Sequence, residues 1–260
     1  MKNNLKDLCS VLVNSCDRYR TTWSPFFTLY AKYFHESPFS LYLNTEKEIF
    51  PSESVTTLNC DCECWSDRLK SCLDRINTKY VILLLDDFFF QKKVNFDFIL
   101  KSLETMEKDD TINCIYFKKI STKYLGEYNN ELYVMDNSRK YILNFQAALW
   151  KRDQLVKLIP SKSDAWKIED LQLTEEKGKF LCLKTGSFTK LKNDVFNYLW
   201  SIKSGYGICK SKWLWNNEKF FEKEGIVVNF YELGKMEKKE YHRLFIKSLF
   251  RKKKGKIKNE

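Results

Sequence analysis

Two adjacent aspartates, Asp86 and Asp87, follow an apolar run and precede three phenylalanines in LLLDDFFF (83–90). Carboxylates avoid apolar surroundings unless a cation or hydrogen bonds offset the cost of burying their charge. A carboxylate pair at the end of a strand suits a hard divalent cation, Mg²⁺ or Mn²⁺, held jointly with substrate phosphates. Such a cation would relieve charge developing on a phosphate leaving group. The alternative is structural: one acid caps the following turn and the other pairs with Lys92 or Lys93. A second chemical stretch is GYGICKSKW (205–213). Gly205 and Gly207 permit close backbone approach, and Lys210 and Lys212 supply positive charge. It is the candidate phosphate- or ligand-binding loop, with Trp213 and Trp215 available to stack on a ligand ring or to fill a core. CDCECW (60–65) spaces its cysteines C-x-C-x-C, with no second pair and no nearby histidine. Structural zinc sites pair two such elements, so loop or strand-edge cysteines are expected.

These residues need a scaffold, and the first 120 positions alternate strand and helix. An apolar run over 8–17 predicts a strand. Trp23, Phe26, Phe27, Tyr30 and Phe34 fall on one face of a helix over 23–34, and 39–45 reads as a second strand. That βαβ unit implies a parallel sheet. A helix over 65–76 starts at a Ser66 N-cap and buries Leu69, Cys72, Leu73 and Ile76. KYVILLLDD (79–87) is apolar on both faces, as a central parallel strand is. A helix over 96–108 and a strand over 112–120 follow. Segments 131–136 and 141–150 look extended, 151–159 looks helical, and 163–179 opens as a loop and continues as a helix. Beyond 180 the pattern weakens to loops and short helices. Ligands of open α/β sheets bind outside the carboxyl ends of the strands, so position as well as chemistry selects Asp86 and Asp87.

A chain of 260 residues, 43% apolar and 30% charged, fits one large folded domain, or a core domain with a smaller appendage, that needs no staples. Nine cysteines, an odd number, argue for reduced thiols. The start MKNNLKDLCS lacks the apolar stretch of a leader, and VILLL (81–85) is far short of the ~20 residues a membrane span needs. A cytoplasmic location is expected. The net charge is +11, and the tail RKKKGKIKNE (251–260) carries six of the Lys and Arg residues. Such a balance suits nucleic acid, an anionic membrane or an anionic substrate, or is simply a solvated tail.

The order VLVNSCDRY, then WSDRL opening a helix, then YVILLLDDFF resembles the nucleotide-sugar-binding half of GT-A fold glycosyltransferases. It looks closest to the bacterial capsule and lipopolysaccharide transferases of that fold. FQAALWKRDQLVKLI followed by DAWKIED is similar to their acceptor-side segment. The resemblance covers about residues 10–175. It implies a GT-A, Rossmann-like sheet, mixed and mainly parallel, flanked by helices. Residues 1–120 would form the donor half, 121–240 the acceptor half, and 241–260 a basic amphipathic tail.

It implies a nucleotide-diphosphate sugar as donor and a saccharide, lipid-linked in one version, as acceptor in surface-polysaccharide assembly. Asp86 and Asp87 would handle the diphosphate, with Asp87 holding Mn²⁺ or Mg²⁺. DDF departs from the family's D-x-D, so metal-independent chemistry stays open. Asp17, Asp67 and Arg68 would lie near the nucleoside or its phosphates, alongside Lys210 and Lys212. Arg68 could instead pair with Asp17 or Asp86. Gln146, Trp150 and Trp166 would meet the acceptor. Glu169, with Asp170 as its understudy, would be the base that deprotonates the acceptor hydroxyl, which implies inversion. A glutamate beside Trp166 and Ile168 would have its pKa raised by a less polar setting. Its alternative is a first-turn helix acid.

A metal-dependent phosphoryl-transfer enzyme or nuclease is the rival reading, and it would bring three or more acids together. A nucleic-acid-binding module leaves the acid pair unexplained, because acids repel phosphate. Nucleic acid is therefore not an expected partner. The tail YHRLFIKSLFRKKKGKIK (241–258) sets Leu244, Phe245, Leu249 and Phe250 beside lysines, which suits peripheral contact with an anionic membrane.

Overall fold

The computed structural model describes residues 2–184, 195–196, 198 and 206–244. Helix α1 (Lys2–Leu8) leads into strand β1 (Cys9–Asn14), and a 3₁₀ turn over Asp17–Tyr19 joins β1 to α2 (Arg20–Tyr33). Next come β2 (Ser40–Thr45), β3 (Thr56–Asn59), α3 (Trp65–Asp74), β4 (Tyr80–Leu85), α4 (Phe96–Lys108) and β5 (Ile112–Tyr116). The middle of the chain holds β6 (Tyr124–Glu127), β7 (Leu132–Met135), β8 (Ala148–Lys151), α5 (Arg152–Leu158), α6 (Ala165–Glu169) and β9 (Lys179–Leu183). A separate unit carries β10 (Ile208–Cys209), β11 (Lys212–Leu214), α7 (Asn217–Glu224) and β12 (Lys235–Met236).

One nine-stranded sheet has the order β3-β2-β1-β4-β8-β5-β9-β7-β6. Strands β1 to β4 are mutually parallel, β8 runs against β4 and β5, and β7 runs against β9 and β6. With β5 parallel to β9, every strand except β7 and β8 points the same way. The sheet is therefore mixed and mainly parallel, with helices on both faces. After β3 the chain returns to the far side of β1 to form β4. That reversal creates a crevice at the carboxyl ends of β1 and β4, where doubly wound sheets bind ligands.

Strand β4 shows why this centre is stable. Tyr80, Ile82 and Leu84 pack into the core containing Phe26 and Tyr30 of α2 and Ile99, Leu103 and Met106 of α4. Val81 and Leu83 pack into the opposite core with Leu69, Cys72 and Leu73 of α3 and Leu155 of α5. The predicted buried faces of α2 and α3 are buried as expected. Each fully buried leucine or phenylalanine contributes roughly 1.5–3 kcal/mol.

Several sequence expectations change. Cys64, not Ser66, precedes α3; Ser66 sits in its first turn and its hydroxyl accepts the Ser163 N–H at 2.9 Å. Residues 141–147 are a loop and only 148–151 form a strand, because Ile142, Leu143 and Phe145 fill the core from irregular backbone while Tyr141 stays exposed. The helix expected within 163–179 ends at Glu169, and the chain then turns to enter β9 beside β5. Cys60 and Cys62 form a disulfide, while the other seven cysteines are free, so the thiols are not all reduced. Among the described residues no helix is long and apolar enough to cross a membrane.

Candidate active site

The parallel register pairs Asn14 with Leu85, so the next residues, Ser15 and Asp86, emerge side by side. Asp86 is 4% exposed. Its Oδ2 accepts hydrogen bonds from Ser15 Oγ and Thr22 Oγ1, both at 2.5 Å. Ser15 Oγ in turn accepts the Trp23 indole N–H at 2.7 Å. Burial pushes the Asp86 pKa up to about 6, and the two hydroxyl donors work against that rise. The first acid of the pair thus joins the ends of β1 and α2.

Asp87 turns the other way, into a cleft of about 640 Å³. Burial, and then the neighbouring Asp86 charge, raise its pKa well above the ordinary carboxylate value, with the Ile208 backbone N–H opposing the rise. Two adjacent desolvated carboxyls resist joint ionisation unless positive charge stands nearby.

The three phenylalanines explain how the rest of the cleft is assembled. Phe88 lines it. Phe89 stacks on Trp213 with ring centroids 5.6 Å apart and meets Phe221 edge-on at 4.9 Å. Phe90 packs on Phe26 and Tyr30 of α2. Phe89 is therefore the platform on which the β10–β11 hairpin docks. Gly207 closes that contact: its N–H donates to the Asp87 carbonyl at 2.6 Å, and its carbonyl accepts from the Leu214 N–H and the Asn217 amide. A Cβ at 207 would lie 2.3 Å from the Phe89 ring. Only glycine fits.

The hairpin pairs Cys209 with Lys212, which leaves Lys210 and Ser211 as its two-residue tip. Both have left-handed backbone, φ 51° and 59°. Such tips favour Asn-Gly, and other residues are strained there. The tip puts Lys210 and Ser211 on the cleft wall, with Ser211 Oγ 3.3 Å from the Tyr19 hydroxyl. Lys210 has no ion pair among the described residues.

Glu169 lies on the same cleft, with Gln146 and Trp166. Burial raises the Glu169 pKa, while the Phe145 N–H, donating to Oε1 at 3.3 Å, opposes the rise. The Tyr141 N–H holds the Glu169 carbonyl at 2.7 Å, so the 141–145 loop fixes this residue at two points. Trp166 is 80% exposed, an indole left open beside Glu169.

Other expected site residues lie elsewhere. Asp17 accepts the N–H groups of Glu46, Lys47 and Glu48, closing the loop after β2. Asp67 accepts the Lys162 N–H at 3.2 Å. Arg68 is buried, pairs with Glu46 rather than with Asp17 or Asp86, and donates to the Ser15 carbonyl at 3.1 Å. It braces the end of β1 from beneath. Lys212 pairs with Glu240 at 3.1 Å, and Asp170 with Lys140 at 3.2 Å. Trp150 is wholly buried, edge-on to Tyr116 and Phe180, because it sits on the central antiparallel strand. Trp213 is core and Trp215 packs on Tyr241. Gly205 lies outside the described residues. The cleft also gathers Asn14, Tyr19, Trp65 and Tyr206, which the sequence reading passed over.

One cleft-facing carboxylate, Asp87, is the minimum that Mg²⁺ or Mn²⁺ uses when substrate phosphates complete its shell. Among the described residues no three His, Cys, Asp or Glu side chains form a metal cluster.

No protein-family model matches the chain, and no curated protein matches it. Solved structures do. The S. aureus TarS 1-349 structure aligns with TM-score 0.44 and 9% identity over 69% of this chain and 59% of that one. A cytidylyltransferase from Leptospira borgpetersenii aligns with TM-score 0.45 and 10% identity over 75% and 81%. The bifunctional IspDF from Campylobacter jejuni aligns with TM-score 0.40 and 12% identity over 73% and 52%. The chain thus spans under two thirds of TarS 1-349 and of IspDF.

Proposed function

We propose that this protein is a glycosyltransferase that moves a sugar from a nucleotide-diphosphate donor to a saccharide acceptor. One observation carries the reading: a single cleft at the carboxyl ends of β1 and β4 collects Asp87, Lys210, Glu169, Gln146 and Trp166. That set supplies what glycosyl transfer requires, a base near the acceptor hydroxyl and charge relief at the departing diphosphate. Glu169 accepts the proton of the acceptor hydroxyl. The freed oxygen forms a bond to the anomeric carbon as the bond from that carbon to the diphosphate oxygen breaks. The diphosphate leaves with the electron pair, and attack opposite to it inverts the anomeric centre. Lys210 offsets the charge on the diphosphate. A bound Mg²⁺ or Mn²⁺, held by Asp87, would add Lewis-acid relief at the same oxygens. Trp166 offers an open aromatic face to the acceptor, and Gln146 a polar contact. Surface-polysaccharide assembly on a lipid-linked acceptor is the setting we propose for this chemistry.

The test is thermal unfolding with UDP-, GDP-, CDP- and ADP-sugars, with and without Mn²⁺, on wild type and Asp87→Ala. A ligand specific for the folded state at 100 times its Kd adds about 2.7 kcal/mol. A shift with one nucleotide that needs Mn²⁺ and disappears in Asp87→Ala supports both the donor site and the metal. A shift independent of Mn²⁺ keeps the donor site without the metal. No shift with any nucleotide refutes the donor site.

A further inference from the structure

A phenol buried in the core shapes the loop that holds Glu169. Tyr116 is the last residue of β5 and pairs with Ala148, the first residue of β8. That register sets it against the loop that leads into β8. Tyr116 is wholly buried, and its ring meets Trp150 edge-on with centroids 5.7 Å apart. A buried phenol needs a partner for its O–H. The hydroxyl donates to the Ile142 carbonyl at 2.8 Å and accepts the Asn144 N–H at 3.1 Å. A phenylalanine at 116 would keep the ring contact with Trp150, so packing alone does not account for the hydroxyl.

Asn144, also buried, carries the constraint along the loop. Its side-chain amide donates to the Tyr141 carbonyl at 3.0 Å, and its Oδ1 accepts the Gln146 N–H at 3.1 Å. The residues so held are the ones that meet the cleft. The Tyr141 N–H donates to the Glu169 carbonyl and the Phe145 N–H to Glu169 Oε1, while Gln146 lines the cleft beside Glu169. Tyr141 has left-handed backbone, φ 65°. A non-glycine residue stays there only where its surroundings over-determine it, and both its N–H and its carbonyl are bonded. The Phe145 ring is held in turn by Trp65 of α3, edge-on at 4.5 Å.

We propose that Tyr116 is a positioning residue for Glu169: with Asn144 it holds the 141–146 loop so that the Phe145 N–H addresses Oε1 and Gln146 stands beside it. The inference rests on the proposed role of Glu169 as the base. Removing the hydroxyl leaves the Ile142 carbonyl and the Asn144 N–H unpaired in the core, and the loop must shift to satisfy them. Burial raises the Glu169 pKa, the Phe145 N–H opposes the rise, and Asp170 adds to it. Of these three, the N–H hangs from the Tyr116 network. A carboxylate that loses an N–H donor keeps its proton to higher pH.

The experiment follows the titration of selectively labelled glutamate carboxyl carbons by NMR in the full chain, for wild type, Tyr116→Phe and Tyr30→Phe. Glu169→Gln identifies the Glu169 resonance. Tyr30 is the control: it is buried in the core on the other face of the sheet, and its hydroxyl donates to Ser37 at 3.0 Å. The Glu169 midpoint should rise by about one unit in Tyr116→Phe, the scale of a hydrogen bond to a charged group, and stay at the wild-type value in Tyr30→Phe. Stabilisation by UDP-, GDP-, CDP- and ADP-glucose should match wild type in both, because Asp87 and Lys210 lie outside this loop. An unchanged or lowered midpoint in Tyr116→Phe, or an equal rise in Tyr30→Phe, overturns the proposal. If Tyr116→Phe does not fold, Asn144→Ala tests the same bonds from the loop side, with the same expected rise and the same refutation. The two readings fail separately. A raised midpoint with sugar-nucleotide turnover unaffected by Glu169→Gln leaves Tyr116 holding the carboxylate and removes the base. Turnover lost in Glu169→Gln with an unmoved midpoint in Tyr116→Phe keeps the base and removes Tyr116.

Discussion

Asp86→Asn isolates what burying the first acid does to the fold. Asp86 is 4% exposed, and burial raises its pKa from 3.8 to about 6. Below pH 3.8 the carboxyl is protonated in folded and unfolded chains alike, and its ionisation costs nothing. Between 3.8 and 6 the unfolded chain releases the proton while the folded one keeps it, so stability falls as pH rises. A shift of about two units corresponds to about 3 kcal/mol lost by pH 7. Asparagine cannot ionise, and its carbonyl can still accept from Ser15 and Thr22. Its amide group introduces a pH-independent offset, so the informative quantity is the change of the difference with pH. Asp86 is also the second cause of the raised Asp87 pKa, and removing its charge acts in the same direction. Urea denaturation of both proteins at pH 4, 5, 6 and 7 measures this. The variant should gain on wild type by about 2.4 kcal/mol between pH 4 and 7, equivalent to about 5–10 °C in melting temperature for a domain of this size. A difference that stays flat across that window would refute the burial argument.

Gly207→Ala places a Cβ 2.3 Å from a fully buried Phe89 ring that stacks on Trp213. Overpacking of this kind costs roughly 1–3 kcal/mol, and thermal melting should register the drop; an unchanged melting temperature would mean the hairpin does not dock on Phe89. Lys210→Met should lower nucleotide-sugar turnover roughly 10- to 100-fold, the scale of a charged hydrogen bond. Lys212→Met should leave turnover near wild type, since Lys212 is engaged by Glu240; equal losses in the two variants would dismiss the hairpin tip as the phosphate contact. Glu169→Gln should slow transfer about 10²- to 10⁴-fold with donor binding intact. The wild-type rate should rise with pH through a value above the ordinary 4.5, since burial raises the Glu169 pKa and only the ionised form is a base. A variant retaining that limb would remove Glu169 from the role.

Local pattern carried much of the architecture. The stripe Leu69, Cys72, Leu73, Ile76 and the two-faced apolar run of β4 announce their environments, because 3.6-residue and two-residue periods survive in sequence. Long-range register does not survive. Nothing in the stretch NSCDRYRTTW states that Ser15 emerges opposite Asp86 or that Thr22 folds back onto the same oxygen; the pairing of Asn14 with Leu85 decides it. Arg68 likewise finds Glu46, a partner that only the packing of α3 against β2 reveals. The pattern does not announce β3, β6 or β9, and the extended segment expected over 141–150 contracts to β8. The loop before it carries apolar residues on irregular backbone, which no period encodes. Asp87, chosen by its place at a strand end, and Glu169, implied by the resemblance, share one cleft, whereas Trp150, also implied by the resemblance, is buried on β8.

The stretch LLLDDFFF is a junction at which consecutive side chains diverge. Asp86 ties β4 to β1 and α2, Asp87 and Phe88 face the cleft, Phe89 seats the hairpin, and Phe90 closes the core over α2. Stability alone would favour a hydrophobe at 86, because a hydroxyl-bonded buried carboxylate still costs more than an apolar side chain of similar volume. Stability alone would also favour Asn-Gly at 210–211, where Lys210 and Ser211 hold left-handed backbone at a cost of order 1 kcal/mol each. These two departures arise from parts of the chain more than a hundred residues apart, and both border the cleft that holds Asp87 and Glu169. Independent local costs that converge on one concave surface are the pattern expected where a fold has been shaped by chemistry rather than by packing. On that argument the buried Asp86 and the left-handed Lys210 at the carboxyl ends of β1 and β4 support the donor site proposed for this cleft.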